Sequence, residues 1–396
     1  MNGMDARTGL PVVGMVGAGQ LARMTHQAAI ALGQSLRILA AGSDESAGLV
    51  ASDVVLGDHD TYADLERFAA GCDVVTFDHE HVPNEHIAAL QAAGHTVAPG
   101  APALLYAQDK QAMRERLAEL GLPVPRWAPL PDLEALTTFA AGLDAPVVVK
   151  AARGGYDGKG VWMPESAAEA EPLFAAGVPL IGEERVVLRR ELAAVVARSP
   201  FGQGAAWPIV QTVQRDGICV EVIAPAPDLD EELAEQAQNL ALTIADRLGV
   251  VGVLAVELFE TPSGLVINEL AMRPHNSAHW TIEGSRTSQF EQHLRAVLDY
   301  PLGATGLTAP VVVMANVLGG RESGIDERVH HLMAKWPDVK IHLYGKAVRP
   351  GRKIGHVTAL GTDLGSVRER AAAAARWLRS GEGDVHSEPP ALAASS

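Results

Sequence analysis

The chain has 396 residues, of which 47% are hydrophobic, and it carries a formal net charge of -16 at pH 7. This length and apolar content predict two or three packed domains rather than one core. The negative charge opposes binding to a polyanion, so we expect no nucleic acid partner. The two cysteines, Cys72 and Cys219, are too few for a disulfide framework or a cysteine-rich metal site.

The N-terminal residues show no export or membrane segment. Residues 1–11 lack a basic start followed by a long apolar run. No apolar stretch of the chain approaches the ~20 residues that span a bilayer. We therefore expect a cytoplasmic protein without a membrane partner.

Residues 1–107 alternate short apolar runs with helical patterns. Strands are predicted at 12–16, 36–41, 51–56, 73–77 and 96–99. Helices are predicted at 22–32, 62–70 and 84–93. The first strand runs into the glycine turn Gly17-Ala18-Gly19. Alternation of this kind predicts an α/β domain with a doubly wound parallel sheet.

The pattern changes at 108, where we place the first domain boundary. A charged amphipathic helix is predicted at 109–120, closed by Gly121, Pro123 and Pro125. Short β-rich runs then follow at 147–150, 186–192, 209–214 and 219–225, and a long helix at 230–248. This mixture predicts an α+β catalytic domain over 108–304.

The C-terminal part is predicted to be a small β-rich domain over 305–380, which starts with a strand at 311–317. Residues 381–396 are rich in Gly, Pro, Ala and Ser, so we expect a disordered tail. The sequence contains no internal repeat.

A glycine-rich turn separates two apolar runs between Lys150 and Val161. Its four glycines are Gly154, Gly155, Gly158 and Gly160. Glycines let backbone amides approach a phosphate chain closely, and Lys150 and Lys159 would neutralise that chain. The turn is not a Walker A loop, because a glycine and not Ser or Thr follows Lys159. We interpret it as a hairpin lid over a nucleotide; the alternative is a plain flexible hairpin, which has no use for two lysines.

A second hairpin, with its turn at 261–264, carries two glutamates in apolar strands. If the turn is centred on Ser263, Glu257 lies opposite Glu269 with Cβ atoms roughly 5 Å apart. Like charges that face each other in an apolar ladder indicate a cation between them, and Mg²⁺ takes one or two carboxylates plus phosphate oxygens. In the alternative, a register slip of one residue points one glutamate to solvent.

Two further segments have the composition of a substrate site. The stretch 273–280 places one arginine, two histidines, an amide and a hydroxyl within eight positions, a density that suits a binding loop. The stretch 340–356 holds five basic residues and no acidic one, which indicates an anion site. The alternatives are ordinary hydrogen-bonded histidines in the first stretch and a solvated surface in the second.

Together these motifs resemble the ATP-grasp superfamily and, within it, the 5-(carboxyamino)imidazole ribonucleotide synthases of purine biosynthesis. The resemblance covers about 12–360 and rests on GAGQL at 17–21, GGYDGKG at 154–160 and NELAMRPHNS at 268–277. It implies a central ATP-grasp domain in which ATP phosphorylates bicarbonate to carboxyphosphate. Carboxyphosphate then carboxylates the exocyclic amine of aminoimidazole ribonucleotide, with ADP and phosphate as the other products. It also implies Mg²⁺, or Mn²⁺ in its place, and a homodimer.

The resemblance assigns roles on the ATP side. It implies phosphate contacts for Lys110, Lys150, Lys159, Gly154, Gly155, Gly158 and Gly160. It implies an adenine hinge at Glu183, Glu184, Arg185 and Val186, a ribose contact at Glu191, and a nucleotide contact at Gln214, where a histidine can occur in the family. Glu257 and Glu269 would hold the metal, with Asn268 beside them.

The resemblance also assigns roles on the acceptor side. It implies that the imidazole and ribose contact Gln20, Glu80, Tyr156, Asp157, Arg273, His275, Asn276 and Ser277, and that the phosphate contacts Arg352 and Lys353. Tyr156, Asp157 and Arg273 would be catalytic, with Asp157 as the group that takes a proton from the amine. Family members often read Tyr-Glu-Phe-Glu-Asn-Val where this chain has Phe-Asp-His-Glu-His-Val at 77–82, which keeps Glu80.

Three other functions fit parts of the sequence. Another ATP-grasp ligase, such as the formate-dependent glycinamide ribonucleotide transformylase, would share the nucleotide site and differ in the acceptor. A nicotinamide-dependent oxidoreductase would use Gly17, Gly19 and Ala22 as a dinucleotide fingerprint with Asp44 near the end of the second strand, but it leaves the glutamate pair unexplained. A non-catalytic binding protein would keep the pockets without needing a metal between two carboxylates.

Overall fold

A computed structural model describes residues 4–155, 159–320 and 324–381 of the chain. The strands are β1 (Val12–Val16), β2 (Ser35–Ala40), β3 (Val54–Leu56), β4 (Val74–Phe77), β5 (Trp127–Leu130), β6 (Val147–Ala151), β7 (Val161–Trp162), β8 (Leu180–Glu184), β9 (Arg190–Arg198), β10 (Gly204–Ala206), β11 (Val210–Arg215), β12 (Ile218–Ala224), β13 (Gly252–Thr261), β14 (Gly264–Ala271), β15 (Val311–Leu318), β16 (Lys340–Leu343) and β17 (Lys353–Gly361). The α-helices are α1 (Gln20–Leu32), α2 (Tyr62–Ala69), α3 (Asn84–Ala92), α4 (Ala101–Gln108), α5 (Lys110–Glu119), α6 (Leu133–Ala141), α7 (Ala167–Ala175), α8 (Glu231–Arg247), α9 (Thr281–Gly284), α10 (Gln289–Val297), α11 (Ile325–Lys335) and α12 (Leu364–Ser380). Within these described ranges, no helix is both long and apolar enough to cross a lipid bilayer.

The N-terminal sheet is parallel, with strand order β3-β2-β1-β4. All of β1 is buried, as is typical of strands inside a parallel sheet. The glycine turn after β1 leads into α1, so the start of this helix lies at the carboxyl edge of the sheet. The strand predicted at 96–99 is reduced to one parallel bridge between Val75 and Val97, because Pro99 has no amide hydrogen with which to continue the ladder.

A small antiparallel sheet carries the lid, with strand order β5-β8-β6-β7. Its strands β6 and β7 flank the glycine-rich turn, as predicted. Strand β8 was not predicted, and the strand expected at 186–192 begins later, as β9. Gly182, Glu183 and Glu184 interrupt the apolar run of β8, so its sequence does not look like a buried strand, although Glu183 is buried.

The largest sheet has nine strands, in the order β14-β13-β9-β11-β12-β15-β17-β16 with β10 on β9. Its C-terminal strands join the central ones through antiparallel pairing of β12 with β15, where Val222 pairs with Met314. Residues of α11 and α12 form one apolar cluster with β15 and β17. The boundary that we place at 304 thus falls within a continuous sheet, and the division into domains at 107, 304 and 380 remains a proposal. All but the first residue of the tail lie outside the described residues.

The hairpin of β13 and β14 brings the two glutamates together through a β-bulge. Thr261 pairs with Gly264, and if that register continued, Glu257 would face Asn268. The register instead shifts by one residue, so that Asn268 is the extra residue of the bulge and Glu257 pairs with Glu269. The predicted pairing is confirmed, although the turn centre lies earlier in the chain than predicted.

Candidate active site

One cleft of about 1150 Å³ brings together many of the residues that the sequence singled out. The predicted site residues that line it are Gln20, Glu80, Gly154, Gly155, Lys159, Glu257, Glu269, Arg273, His275, Asn276, Arg352 and Lys353. Tyr156, Asp157 and Gly158 lie outside the described residues. The start of α1, the lid, the glutamate hairpin and the C-terminal basic segment therefore meet in one cavity.

The facing carboxylates of Glu257 and Glu269 are half-buried. The pKa of Glu257 is raised to about 7, first by burial and then by the charges of Glu269 and Glu191. Three carboxylates so close together repel one another, and a divalent cation would relieve that repulsion. Their oxygens are the ligands that Mg²⁺ prefers, so these residues fit a magnesium site.

Two predicted phosphate-binding lysines lie beside this pair. Lys110 Nζ donates to Glu269 Oε1. Lys150 Nζ lies 2.7 Å from Glu183 Oε2 and donates to Asn268 Oδ1 over 3.0 Å. Ammonium groups therefore lie next to the carboxylates that are predicted to hold the metal, which is the arrangement that binding of a phosphate chain requires.

The lid is anchored at its base to the first turn of α5. Lys110 N donates to Ala152 O over 2.8 Å. Arg153 Nε donates to Asp109 Oδ2 over 2.8 Å, while the other oxygen of Asp109 caps the helix. The base of the lid is thus tied to the helix that carries Lys110.

The predicted adenine hinge begins at the end of β8. The two carboxylate oxygens of Glu183 lie 2.8 Å from Arg114 Nε and 2.7 Å from Lys150 Nζ, so this side chain points into the protein. Glu184 Oε2 lies 2.6 Å from Arg126 Nε. Because both side chains are held in ion pairs, the backbone is the part of this segment that is left to contact an adenine.

The other residues that are predicted to contact the nucleotide lie on neighbouring elements. After β8 the chain continues through Arg185, which is exposed, and Val186, which is half-buried. Glu191 on β9 and Gln214 on β11 are joined by a side-chain hydrogen bond, and burial raises the pKa of Glu191. Gln214 therefore lies next to a carboxylate whose negative charge also raises the pKa of Glu257.

The loop after β14 lies on the side of the cleft that is predicted to bind the acceptor. Arg273 Nε donates to Glu80 Oε2 over 2.8 Å, and Met272 N donates to the other oxygen over 3.1 Å. His275 Nε2 lies 3.5 Å from Glu257 Oε1, and burial lowers the pKa of His275 to about 3. This loop therefore presents a fixed guanidinium and a neutral imidazole next to the glutamate hairpin.

Gln289 and Asn316, which were not predicted from the sequence, hold this loop. His275 N donates to Gln289 Oε1 over 2.7 Å, and His275 Nδ1 lies 2.8 Å from Ser277 Oγ. The side-chain amides of Asn276 and Asn316 exchange two hydrogen bonds of 2.9 and 2.8 Å. Gln289 and Asn316 carry no local signal, because only the tertiary fold brings α10 and β15 to the loop.

The basic segment faces the cleft rather than solvent alone. Lys346, Arg349, Arg352 and Lys353 all line the cavity. Lys346 Nζ donates to Gln20 Oε1, which links the segment to the start of α1. The predicted anion site and the N-terminal domain therefore meet at one end of the cleft.

The start of α1 does not offer the phosphate site of a dinucleotide enzyme. The carboxylate of Asp78 accepts from Gly19 N over 2.5 Å and from Ala22 N over 2.9 Å. Burial raises the pKa of Asp78, while these two backbone donors act in the opposite direction. Because the chain's own carboxyl group holds the amides that would bind a pyrophosphate, the nicotinamide-dependent oxidoreductase is not supported.

Three family models match successive parts of the chain. They are the ribonucleotide synthetase preATP-grasp domain at 10–108, the ATP-grasp domain at 115–290 and the phosphoribosylaminoimidazole carboxylase C-terminal domain at 312–370. Their ranges coincide with the N-terminal parallel sheet, with the part of the chain that carries the glycine-rich turn and the glutamate hairpin, and with strands β15 to β17. Fold and site together define an ATP-grasp ligase.

Named relatives narrow this class. The N5-carboxyaminoimidazole ribonucleotide synthase of Mycobacterium tuberculosis is 62% identical, with 94% of this chain and 88% of the relative covered. That of Corynebacterium ammoniagenes is 53% identical, with 93% and 92% covered. The chain belongs to the N5-carboxyaminoimidazole ribonucleotide synthase family.

Solved structures of this family have the same fold. The synthetase from Thermus thermophilus is 37% identical and matches with a TM-score of 0.84, over 93% of this chain and 98% of that one. The synthase from Aspergillus clavatus, in complex with ADP and 5-aminoimidazole ribonucleotide, is 28% identical and matches with a TM-score of 0.85, again over 93% and 98%.

Proposed function

We propose that this chain catalyses the ATP- and bicarbonate-dependent carboxylation of the exocyclic amine of 5-aminoimidazole ribonucleotide in de novo purine biosynthesis. The observation that carries this proposal is the single cleft, which both the glutamate hairpin and the basic segment with Arg352 and Lys353 line. The relatives bear the name of that enzyme, and one solved relative contains ADP together with the imidazole nucleotide.

Glu257 and Glu269 would hold Mg²⁺, or Mn²⁺ in its place, through their carboxylate oxygens. The bound metal would neutralise phosphate oxygens of ATP. The protein groups that would bind the phosphates are Lys110, Lys150 and Lys159 with the amides of Gly154, Gly155, Gly158 and Gly160. A bicarbonate oxygen attacks the γ-phosphorus and ADP leaves, which gives carboxyphosphate.

The second step forms the product. The amine nitrogen forms a bond to the carboxyl carbon, either of carboxyphosphate or of carbon dioxide released from it, and the bond from that carbon to the phosphate oxygen breaks. Phosphate leaves with the electron pair, and the nitrogen loses one proton. In our proposal Asp157 takes that proton, and Tyr156 and Arg273 orient the imidazole. The ion pair of Arg273 with Glu80 supports this assignment, because it fixes the guanidinium.

The remaining proposed contacts divide between the ATP end and the acceptor end of the cleft. We assign adenine to the backbone of 183–186 and ribose to Glu191 and Gln214, with Asn268 beside the metal. At the other end, the imidazole nucleotide would contact Gln20, Glu80, His275, Asn276 and Ser277, with its phosphate on Arg352 and Lys353. The position of the basic segment in the cleft supports this orientation.

We further propose that the protein is a cytoplasmic homodimer. This proposal is supported by the family resemblance. Equilibrium sedimentation of the purified protein would test it, and a single species with the 41.6 kDa mass of one chain would contradict it.

Phosphate release from ATP tests the proposed reaction. We expect release to require Mg²⁺, bicarbonate and 5-aminoimidazole ribonucleotide together, and to fall to background when the imidazole nucleotide is withheld. Formate with glycinamide ribonucleotide is the control for the rival ATP-grasp ligase. Release with that pair and not with the imidazole nucleotide would overturn the proposal.

A further inference from the structure

Arg114 is a buried charge that the proposed chemistry has not used. It follows Lys110 by one helical turn on α5, so both side chains leave the same face of the helix. The residue is fully buried, at 0% exposure. Its Nε donates to Glu183 Oε1 over 2.8 Å, and its Nη2 donates to Asn268 O over 2.6 Å.

The second of these contacts lies on the β-bulge of the glutamate hairpin. A bulge leaves its extra residue outside the regular ladder, and here that residue is Asn268. Arg114 supplies a charged donor to the carbonyl of this residue. Without the bulge, Glu257 would face Asn268 instead of Glu269, so Arg114 holds the backbone feature that makes the carboxylates face each other.

The contact of Arg114 with Glu183 connects it to the two facing glutamates by a second route. Arg114 and Lys150 hold one oxygen each of Glu183, which fixes this carboxylate between two cations. Lys150 also donates to Asn268 Oδ1, and Asn268 Nδ2 donates to Glu257 Oε2 over 3.2 Å. A continuous chain of contacts therefore runs from Arg114 to one of the two carboxylates.

We propose that Arg114 is a positioning residue of the metal and nucleotide site, which sets the carboxylate pair through the bulge and orients Lys150 through Glu183. This inference rests on the proposed function for the identity of the ligands and goes beyond it in assigning the residue. Arginine is suited to the task, because its planar fork donates to both acceptors at once, whereas lysine carries a single ammonium group.

If Arg114 formed only a structural ion pair, its substitution would affect stability and not the binding of one ligand in particular. Loss of one partner of a buried pair lowers the free energy of unfolding wherever the pair lies, but it does not single out one ligand. Arg190 offers a matched comparison, since its Nε lies 2.5 Å from Oε2 of the buried Glu260 and its Nη2 donates to Asp228 O over 3.3 Å. Arg190 lies on β9, in the same sheet as the glutamate hairpin.

The test compares Arg114→Lys with Arg190→Lys in the full chain. The first readout is the dissociation constant of Mn²⁺ in the presence of ADP, measured by electron paramagnetic resonance, which needs no turnover. We expect Arg114→Lys to weaken Mn²⁺ about tenfold, the lower end of the effect of changing a residue that orients metal ligands. Arg190→Lys should lower the melting temperature and leave the Mn²⁺ constant within twofold of the original.

Steady-state kinetics give the second readout. In Arg114→Lys the KM for ATP should rise about as much as the Mn²⁺ constant. The KM for 5-aminoimidazole ribonucleotide should stay within twofold. An unchanged Mn²⁺ constant, or equal rises in both KM values, would overturn the inference. If the unsubstituted chain bound Mn²⁺ and ADP but did not carboxylate the imidazole nucleotide, the proposed function would fail while the binding comparison still decided the role of Arg114.

Discussion

Glu269 is held between opposing interactions. Lys110 donates to its carboxylate, while Glu257 faces it across the ladder with a like charge. Loss of the charge at Glu269 removes an ion pair and a repulsion together, so the two effects on the free energy of unfolding largely cancel. The proposed metal site has no such compensation, because a neutral amide is a much poorer ligand for Mg²⁺ than a carboxylate.

Glu269→Gln should therefore abolish ATP turnover with little loss of stability. We expect the rate of phosphate release to fall by roughly a hundredfold or more, while the melting temperature stays within a few degrees of the original. Glu235→Gln on the exposed side of α8 is the control and should leave both unchanged. Near-normal turnover in Glu269→Gln would show that this glutamate is not a metal ligand.

The pairing of Glu257 with Glu269 could be predicted from the sequence, but its cause could not. A turn centred on Ser263 gives the right partner with a regular ladder, whereas the chain makes an earlier turn and adds Asn268 as a bulge. Nothing local marks Asn268 as the extra residue. The contact that holds its carbonyl comes from Arg114, which lies far away in the sequence.

At the scale of elements, α5 joins the lid to the glutamate hairpin. Asp109 caps this helix and also accepts from Arg153 at the base of the lid. On α6, Asp132 makes the same kind of cap, accepting from Ala135 N over 2.8 Å. The two aspartates thus share one structural role, and Asp109 has a second one toward the lid.

Asp109→Ala and Asp132→Ala separate these roles. Each variant loses a helix cap, so each should lower the free energy of unfolding by about 1 kcal/mol. Asp109→Ala should in addition raise the KM for ATP severalfold, because the lid loses an anchor. Denaturant unfolding and steady-state kinetics of both variants measure the two effects. Equal KM values in the two variants would contradict the coupling of α5 to the lid.

Helices α5 and α8 were predictable within a residue or two, because their caps are visible in the sequence. The prediction for 109–120 corresponds to α5 with Asp109 as its cap, and that for 230–248 to α8 with Asp230 as its cap. The elements that were missed include strand β8 and helices α4, α11 and α12. In β8 a charged residue, Glu183, occupies a buried position. This could not be predicted, because the cations that pair with it, Arg114 and Lys150, lie on other elements.

At the scale of the whole molecule, His293 joins the N-terminal sheet to the largest sheet. Val253 N donates to His293 Nδ1 over 3.1 Å, so the ring proton is on Nε2, which lies 2.8 Å from Thr76 Oγ1. Burial lowers the pKa of His293 to about 4. The ring is therefore neutral in the folded protein, and a proton on Nδ1 would break the bond from Val253.

This arrangement predicts a loss of stability in acid. Because the unfolded chain binds the proton near the ordinary pKa of about 6.5, the stability is fully present above that pH and declines toward pH 4, by up to about 3 kcal/mol. His293→Gln cannot take up the proton and should show a shallower decline. Denaturant unfolding between pH 8 and pH 5 measures both, and parallel curves would contradict the assignment.

The joining of the C-terminal part to the central part could not be predicted. Strand β15 looks like the start of a new unit, but it pairs with β12, which lies far earlier in the chain. The same long-range pairing carries the basic segment to the cleft through β16 and β17. The sequence showed which residues are basic, and the sheet determined that they meet Gln20 and the glutamate hairpin.

Transfer of an oxygen label tests the central claim most directly. With bicarbonate that carries ¹⁸O in all its oxygens, the oxygen that attacks the γ-phosphorus stays on phosphate when the bond to carbon breaks. We therefore predict that phosphate released in the first turnovers, before bicarbonate exchanges with water, contains one ¹⁸O atom and that it forms only when 5-aminoimidazole ribonucleotide is present. Phosphate without the label would show that water and not bicarbonate accepts the phosphoryl group, and would contradict the account.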